Sequence, residues 1–167
     1  MKHYQLREAL NNNSDFDAYL NIKSDREAIV FSGFAKAPDA DVFRNVYERI
    51  MTSGNEKLYF LCDNEVDDRV VASFHLGLVS ENEAEIMGYN VLPQYRGKGV
   101  GKMIIQQILE ICHGKGVRKL YSVVAENNIA SIKNHEKLGA ITTGDFDMRE
   151  LTAINQSVKF LHYVFDV

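Results

Sequence analysis

An α/β fold built on a mixed sheet is what the order of apolar periodicities in this chain predicts. Two neighbouring runs, 70–79 and 83–92, have the alternation and length of strands, and Ser80-Glu81-Asn82 between them suits a hairpin. The second run leads through a glycine-rich loop into an apolar stripe of helical period. Two more strand-like runs, 141–148 and 158–166, close the chain after a further short helix. A chain of 167 residues, 46% hydrophobic, suits one core. The expectation is one domain over 1–167, with about six to seven strands and about four flanking helices.

In order, 2–8 reads as a short strand, and Ser14 or Asp15 suits the cap of a helix reaching Ile22. Residues 24–37 stay open, because Ser24-x-x-Glu27 imitates a capping box while Gly33 soon interrupts. Val42, Phe43, Val46, Tyr47, Ile50 and Met51 then form one helical stripe, preceded by Pro38-Asp39 and ended by Gly54. A short strand at 57–62 precedes the hairpin, in which Val70, Ala72, Phe74, Leu76 and Leu78 share a face. After the glycine loop, Val100, Met103, Ile104, Ile108, Ile111 and Cys112 stripe a helix that Gly114-Lys115-Gly116 terminates. Residues 119–124 read as a buried strand and 129–138 as the short helix.

Composition excludes several classes. The net charge of −4 has the wrong sign for a nucleic-acid binder, and the lysines form no basic block. Met1-Lys2-His3-Tyr4-Gln5 lacks the apolar core of a secretion signal, and no apolar run approaches ~20 residues, so a cytoplasmic protein without a membrane partner is expected. Cys62 and Cys112 sit inside apolar elements without motif spacing and read as core thiols in a reducing compartment. His3, His75, His113 and His162 show no metal-ligand spacing, so no metal is expected.

The loop Gln94-Tyr95-Arg96-Gly97-Lys98-Gly99-Val100-Gly101-Lys102 carries the chemistry. Glycines permit a sharp turn and close backbone approach, and the first N–H groups of a helix are ready receptors for phosphate oxygens. A P-loop is excluded, since Arg96 stands where its first glycine belongs and Met103 where its hydroxyl belongs. The dinucleotide fingerprint G-x-G-x-x-G fails as well. The pattern Q-x-x-G-x-G, here Gln94 to Gly99, resembles the acetyl-coenzyme A pyrophosphate loop of the GNAT superfamily of N-acetyltransferases. An ordinary glycine-rich turn would share these residues. The segment Glu126-Asn127-Asn128-Ile129-Ala130-Ser131 through His135-Glu136-Lys137-Leu138-Gly139-Ala140 resembles the family's second signature, N-x-x-[S/A] followed by Y-E-K-L-G-F. Asn128 with Ser131 gives the register that places Gly139 at the family's spacing, and a capped surface helix fits the same residues.

The resemblance implies a GNAT-like fold whose central strands splay beside the loop, with acetyl-CoA as acetyl donor. Its pyrophosphate would lie on the amides of Gly97, Lys98, Gly99, Val100, Gly101 and Lys102, with Arg96 and Lys98 adding screened attraction. Tyr89, Asn90 and Val91 would lend backbone hydrogen bonds to the pantetheine arm, and Asn128 and Ser131 belong to the same site. Glu85 stands where protein-lysine acetyltransferases of the superfamily carry their base, and strand alternation would put it on one face with Met87, Tyr89 and Val91. Val123 occupies the alternative base position and cannot act. His135 replaces the family's proton-donating Tyr four residues before Gly139; it would either protonate the departing thiolate or pack against the cofactor.

The activity expected is acetyl transfer to a primary amine of a small molecule or protein by direct attack. A catalytically silent acyl-CoA-binding module is the alternative, and a purely structural interaction protein a weaker one. Asp15, Asp17, Asp25 and Glu27 would favour a cationic acceptor or are merely solvated. The run Phe160–Phe165 is apolar enough for a sheet edge used in a possible homodimer.

Overall fold

The computed structural model describes residues 3–167; Met1 and Lys2, the latter at the start of the first expected strand, lie outside the described residues. The elements are β1 (Tyr4–Glu8), α1 (Asn13–Lys23), α2 (Arg26–Phe31), α3 (Ala40–Thr52), β2 (Glu56–Asp63), β3 (Arg69–Leu78), β4 (Glu83–Val91), α4 (Val100–Gly114), β5 (Lys119–Ala125), α5 (Ile129–Lys137), β6 (Ile141–Leu151) and β7 (Gln156–Asp166), with short 3-10 turns at Pro93–Tyr95 and Thr152–Ile154. The mixed sheet of seven strands runs β1-β2-β3-β4-β5-β7-β6. Every neighbouring pair is antiparallel except β4–β5.

The segment left open at 24–37 contains α2, capped not by Ser24 but by Asp25, whose side chain accepts from Glu27 N–H at 3.1 Å. The cap of α1 is likewise Asn12 rather than Ser14 or Asp15. Asp15 is buried in the first turn, accepting from both terminal Arg7 guanidinium nitrogens at 2.7 Å and from the Leu10 N–H at 2.7 Å. Burial pushes its carboxyl up, but Arg7 and the amide outweigh that and hold it below the usual carboxylate range.

Helices cover both faces of the sheet. On one, Ile104, Ile105, Ile108 and Cys112 of α4 join a core with Phe74 and Leu76 of β3, Ile86 of β4 and Leu120 of β5. On the other, Phe16 and Tyr19 of α1 and Phe43, Tyr47 and Ile50 of α3 cluster with Leu58, Phe60 and Cys62 of β2. Val42 and Val46 of the expected α3 stripe stay exposed. A third cluster joins Val30 of α2 to Ala125 of β5 and to Val158 and Phe160 of β7. Among the described residues, no helix is long and apolar enough to cross a membrane.

Three features position the site. Parallel pairing of β4 with β5 extends only from Glu83–Lys119 to Ile86–Ser122, and beyond it the strands part. A bulge against β3 passes over Met87, so that Ile86 opposes Leu76 while Gly88 opposes His75 and Tyr89 opposes Phe74. This slip corrects the expected alternation: Ile86 and Tyr89 share one face of β4, and Glu85 lies on the opposite face from Tyr89 and Val91. Finally, β7 is an interior strand between β5 and β6, so the run Phe160–Phe165 is not a sheet edge; β6 forms the edge on that side, with Ile141, Phe146 and Met148 exposed.

Candidate active site

Where β4 and β5 part, the gap opens into a cavity of about 530 Å³, within the range typical of small-molecule sites. Of the residues expected at the site, Glu85, Tyr89, Asn90, Val91, Arg96, Gly97, Gly101, Asn128, Ser131 and His135 line it. Lys98, Gly99, Val100 and Lys102 do not: Val100 is buried in the α4 core, and Lys98 lies over the Tyr95 ring, 5.6 Å from its centroid.

The start of α4 follows from its glycines. Gly97 and Gly99 have φ of +71° and +83°, a region closed to most side chains, and Gly99 is the residue before the helix. The first backbone bond there is Met103 N–H to Gly99 O at 3.0 Å, which leaves the N–H groups of Gly101 and Lys102 without a partner among the described residues. At Gly101 space is the constraint, because a Cβ would come within 2.9 Å of Asn134 Nδ2. Unpaired amides beside a helix's positive end suit a pyrophosphate.

Arg96 departs from its expected role. Its Nε donates to Val91 O at 2.9 Å, one terminal nitrogen binds Asp25, and the other lies 3.1 Å from Glu27. The guanidinium thus clasps the glycine loop to the start of α2 instead of standing free for phosphate.

His135 is fully buried. Its Nδ1 lies 2.8 Å from Ser131 O; a carbonyl only accepts, so Nδ1 carries the proton. Nε2, 2.9 Å from Ser122 Oγ, is then the acceptor of the Ser122 hydroxyl. Burial pushes the imidazole pKa down, partly offset by the Ser131 carbonyl. A neutral ring with both nitrogens engaged has no proton to hand on, so the expected donation to a thiolate does not match this arrangement. The ring supports Tyr89 instead, their centroids 6.2 Å apart at 29°, while Tyr89 Oη lies 3.0 Å from Ser131 Oγ. Burial raises the Tyr89 phenol, keeping it protonated.

On the other face of β4, Glu85 is half-buried and has no hydrogen-bond partner or counter-ion among the described residues. Both cysteines are buried and free, and burial pushes the Cys112 thiol up to about 11, unsuited to a nucleophile. Sequence reasoning missed Lys23, Ser122 and Asn134. Lys23 ends α1 and lines the cavity, its Nζ donating to Asn90 Oδ1 at 2.7 Å. No local motif surrounds it; only its place in the last turn of a helix could have drawn notice.

Comparison with known proteins agrees with this geometry. Residues 20–140 match the profile of the acetyltransferase (GNAT) family. The ribosomal protein bS18-alanine N-acetyltransferase of Salmonella typhimurium is 32% identical over 73 residues, which take in 44% of this chain and 49% of that protein, so the match spans about half the relative's length. Spermidine N-acetyltransferase from Vibrio cholerae, solved with CoA and spermine, superposes with a TM-score of 0.84 at 17% identity, covering 99% of this chain and 96% of that one. A phosphinothricin acetyltransferase from Sinorhizobium meliloti, solved with acetyl-CoA, gives 0.77 at 16% identity, covering 99% and 89%. At such identities the structural likeness is one of fold, whereas the profile spans most of the chain. The chain belongs to the acetyltransferase (GNAT) family.

Proposed function

We propose that the protein moves an acetyl group from acetyl-CoA to a primary amine, on a small molecule or a protein, by direct attack. One observation carries the reading: the unpaired amides that open α4, the parted edge of β4 and the unpaired carboxylate of Glu85 line or border a single cavity. The donor, when bound, supplies a thioester activated toward amines. Gly97, Gly101 and Lys102 hold its pyrophosphate through backbone N–H groups, and the β4 backbone from Tyr89 to Val91, without β5 beside it, holds the pantetheine arm. Relatives that acetylate spermidine and a ribosomal protein support an amine as acceptor.

An amine of ordinary pKa, near ~10.4 for a lysine-like group, must lose a proton before attack. Glu85 takes that proton in this reading, since it is the carboxylate on the acceptor side with no partner of its own. His135 is a positioning residue: it fixes α5 to β5 through Ser122 and backs the Tyr89 ring. The test is thiol release from acetyl-CoA with a panel of amines. Glu85→Gln should lower kcat/KM by roughly 10²- to 10⁴-fold while calorimetric acetyl-CoA affinity stays unchanged. A folded Glu85→Gln protein that keeps native turnover removes Glu85 from the mechanism; tight binding with no turnover on any amine removes the transferase reading.

A further inference from the structure

Resting on that reading, we infer that the acceptor carries an acidic group beside its amine, and that Lys23 with Asn90 binds that group. The charges lining the cavity carry the argument. Arg96 is matched by Asp25 and Glu27, and Arg149 by Asp147 at 3.1 Å. Lys23 has no carboxylate within ion-pair distance among the described residues; its Nζ holds only the neutral Asn90 Oδ1, with the Tyr19 ring centroid 5.9 Å away. The nearby His75 is itself bound to Glu56, at 2.8 Å.

A partly desolvated ammonium without a counter-charge is costly, and burial alone lowers the Lys23 pKa to about 8. An incoming carboxylate would supply the missing charge. The Asn90 Nδ2 group, which has no partner among the described residues, stands beside it as a second donor. Glu85 lies on the same face of β4 as Asn90, so this wall offers one unpaired anion and one unpaired cation. Their complement is a molecule with an ammonium and an acid.

The acids that would have attracted a polycation are otherwise engaged. Asp15 is held by Arg7, Asp25 and Glu27 by Arg96, and Asp17 is exposed and does not line the cavity. A diamine would set its second ammonium against Lys23.

The experiment separates this site from the transferase reading by using products, which cannot react. N-acetylglycine, N-acetyl-L-leucine and N-acetyl-L-glutamate are titrated calorimetrically into the CoA-bound protein, each against its primary carboxamide. In parallel, thiol release is measured with L-leucine, L-leucinamide and 1,4-diaminobutane. The acids should bind roughly 10- to 100-fold more tightly than the amides, the range for a charge-assisted hydrogen bond. Lys23→Met and Lys23→Gln should each erase that preference, and Lys23→Arg should keep much of it. If Lys23-dependent acid binding appears but no amine is acetylated, the anion site stands and the transferase reading falls. Equal affinity for acids and amides, a preference that survives both Lys23→Met and Lys23→Gln, or 1,4-diaminobutane as the best acceptor would each overturn the inference. So would an equal fall in kcat for every amine in Lys23→Met, which would make Lys23 a proton carrier.

Discussion

The wall proposed to receive the donor is continuous in the chain from β4 through the glycine loop into α4, with α5 added from the second signature. The wall proposed for the acceptor is assembled from the end of α1, the start of α2, the other face of β4, and Arg149 and Phe160 from the last two strands. The first works through backbone N–H groups, whose placement depends on glycine and helix register. The second works through side-chain charge, and each charge has meaning only once its partners are known. Lys23 and Arg96 illustrate the point, being similar as cations in the sequence and opposite in situation, one unpaired and one doubly paired.

The difference can be broken most forcefully at Gly99. Its φ of +83° strains any β-branched side chain, so Gly99→Val should lose about 3 kcal/mol or more of acetyl-CoA affinity, a hundredfold or greater rise in Kd. Calorimetric titration of the folded variant reads it; unchanged affinity would mean that the backbone amides do not hold the donor.

His135→Phe should act on stability rather than on proton delivery. Losing the bonds to Ser131 and Ser122 should cost about 2 kcal/mol at neutral pH, read by denaturant unfolding. The sign of its pH dependence is fixed by the lowered folded pKa. The unfolded chain takes up the proton first, so the native protein loses stability as pH falls below the ordinary ~6.5 and through the folded value. That part of the slope should vanish in the Phe variant, while the acid limb of the activity profile stays where it was. A shifted limb would restore His135 as a proton donor.

The smallest expected effect sharpens the comparison most. Arg96→Met should raise the acceptor KM about tenfold by freeing the α2 end of the acceptor wall, and barely change acetyl-CoA affinity. If Arg96 instead served the phosphates, acetyl-CoA binding would weaken and lose part of its salt dependence.

Much of this protein was legible without coordinates. The element order apart from α2, the hairpin of β3 and β4, the glycine loop and the Asn128-Ser131 start of α5 all depend on interactions within about a dozen residues, which periodicity and capping patterns record. For the same reason the glycine turn and the unpaired amides that open α4 were legible, since they belong to one loop and one helix start. Only the tertiary structure decided the rest. The bulge at Met87 is set by pairing with β3, and it moves Glu85 to the face of β4 opposite Tyr89 and Val91, which no pattern within β4 reveals. Burial beneath β5 and β7 makes His135 neutral, although its sequence context matches a proton donor. Lys23 meets Asn90 across 67 positions, and Arg96 meets Asp25 across 71. Charge pairing and desolvation act through space, so the side-chain chemistry of this wall of the cavity was decided by the fold.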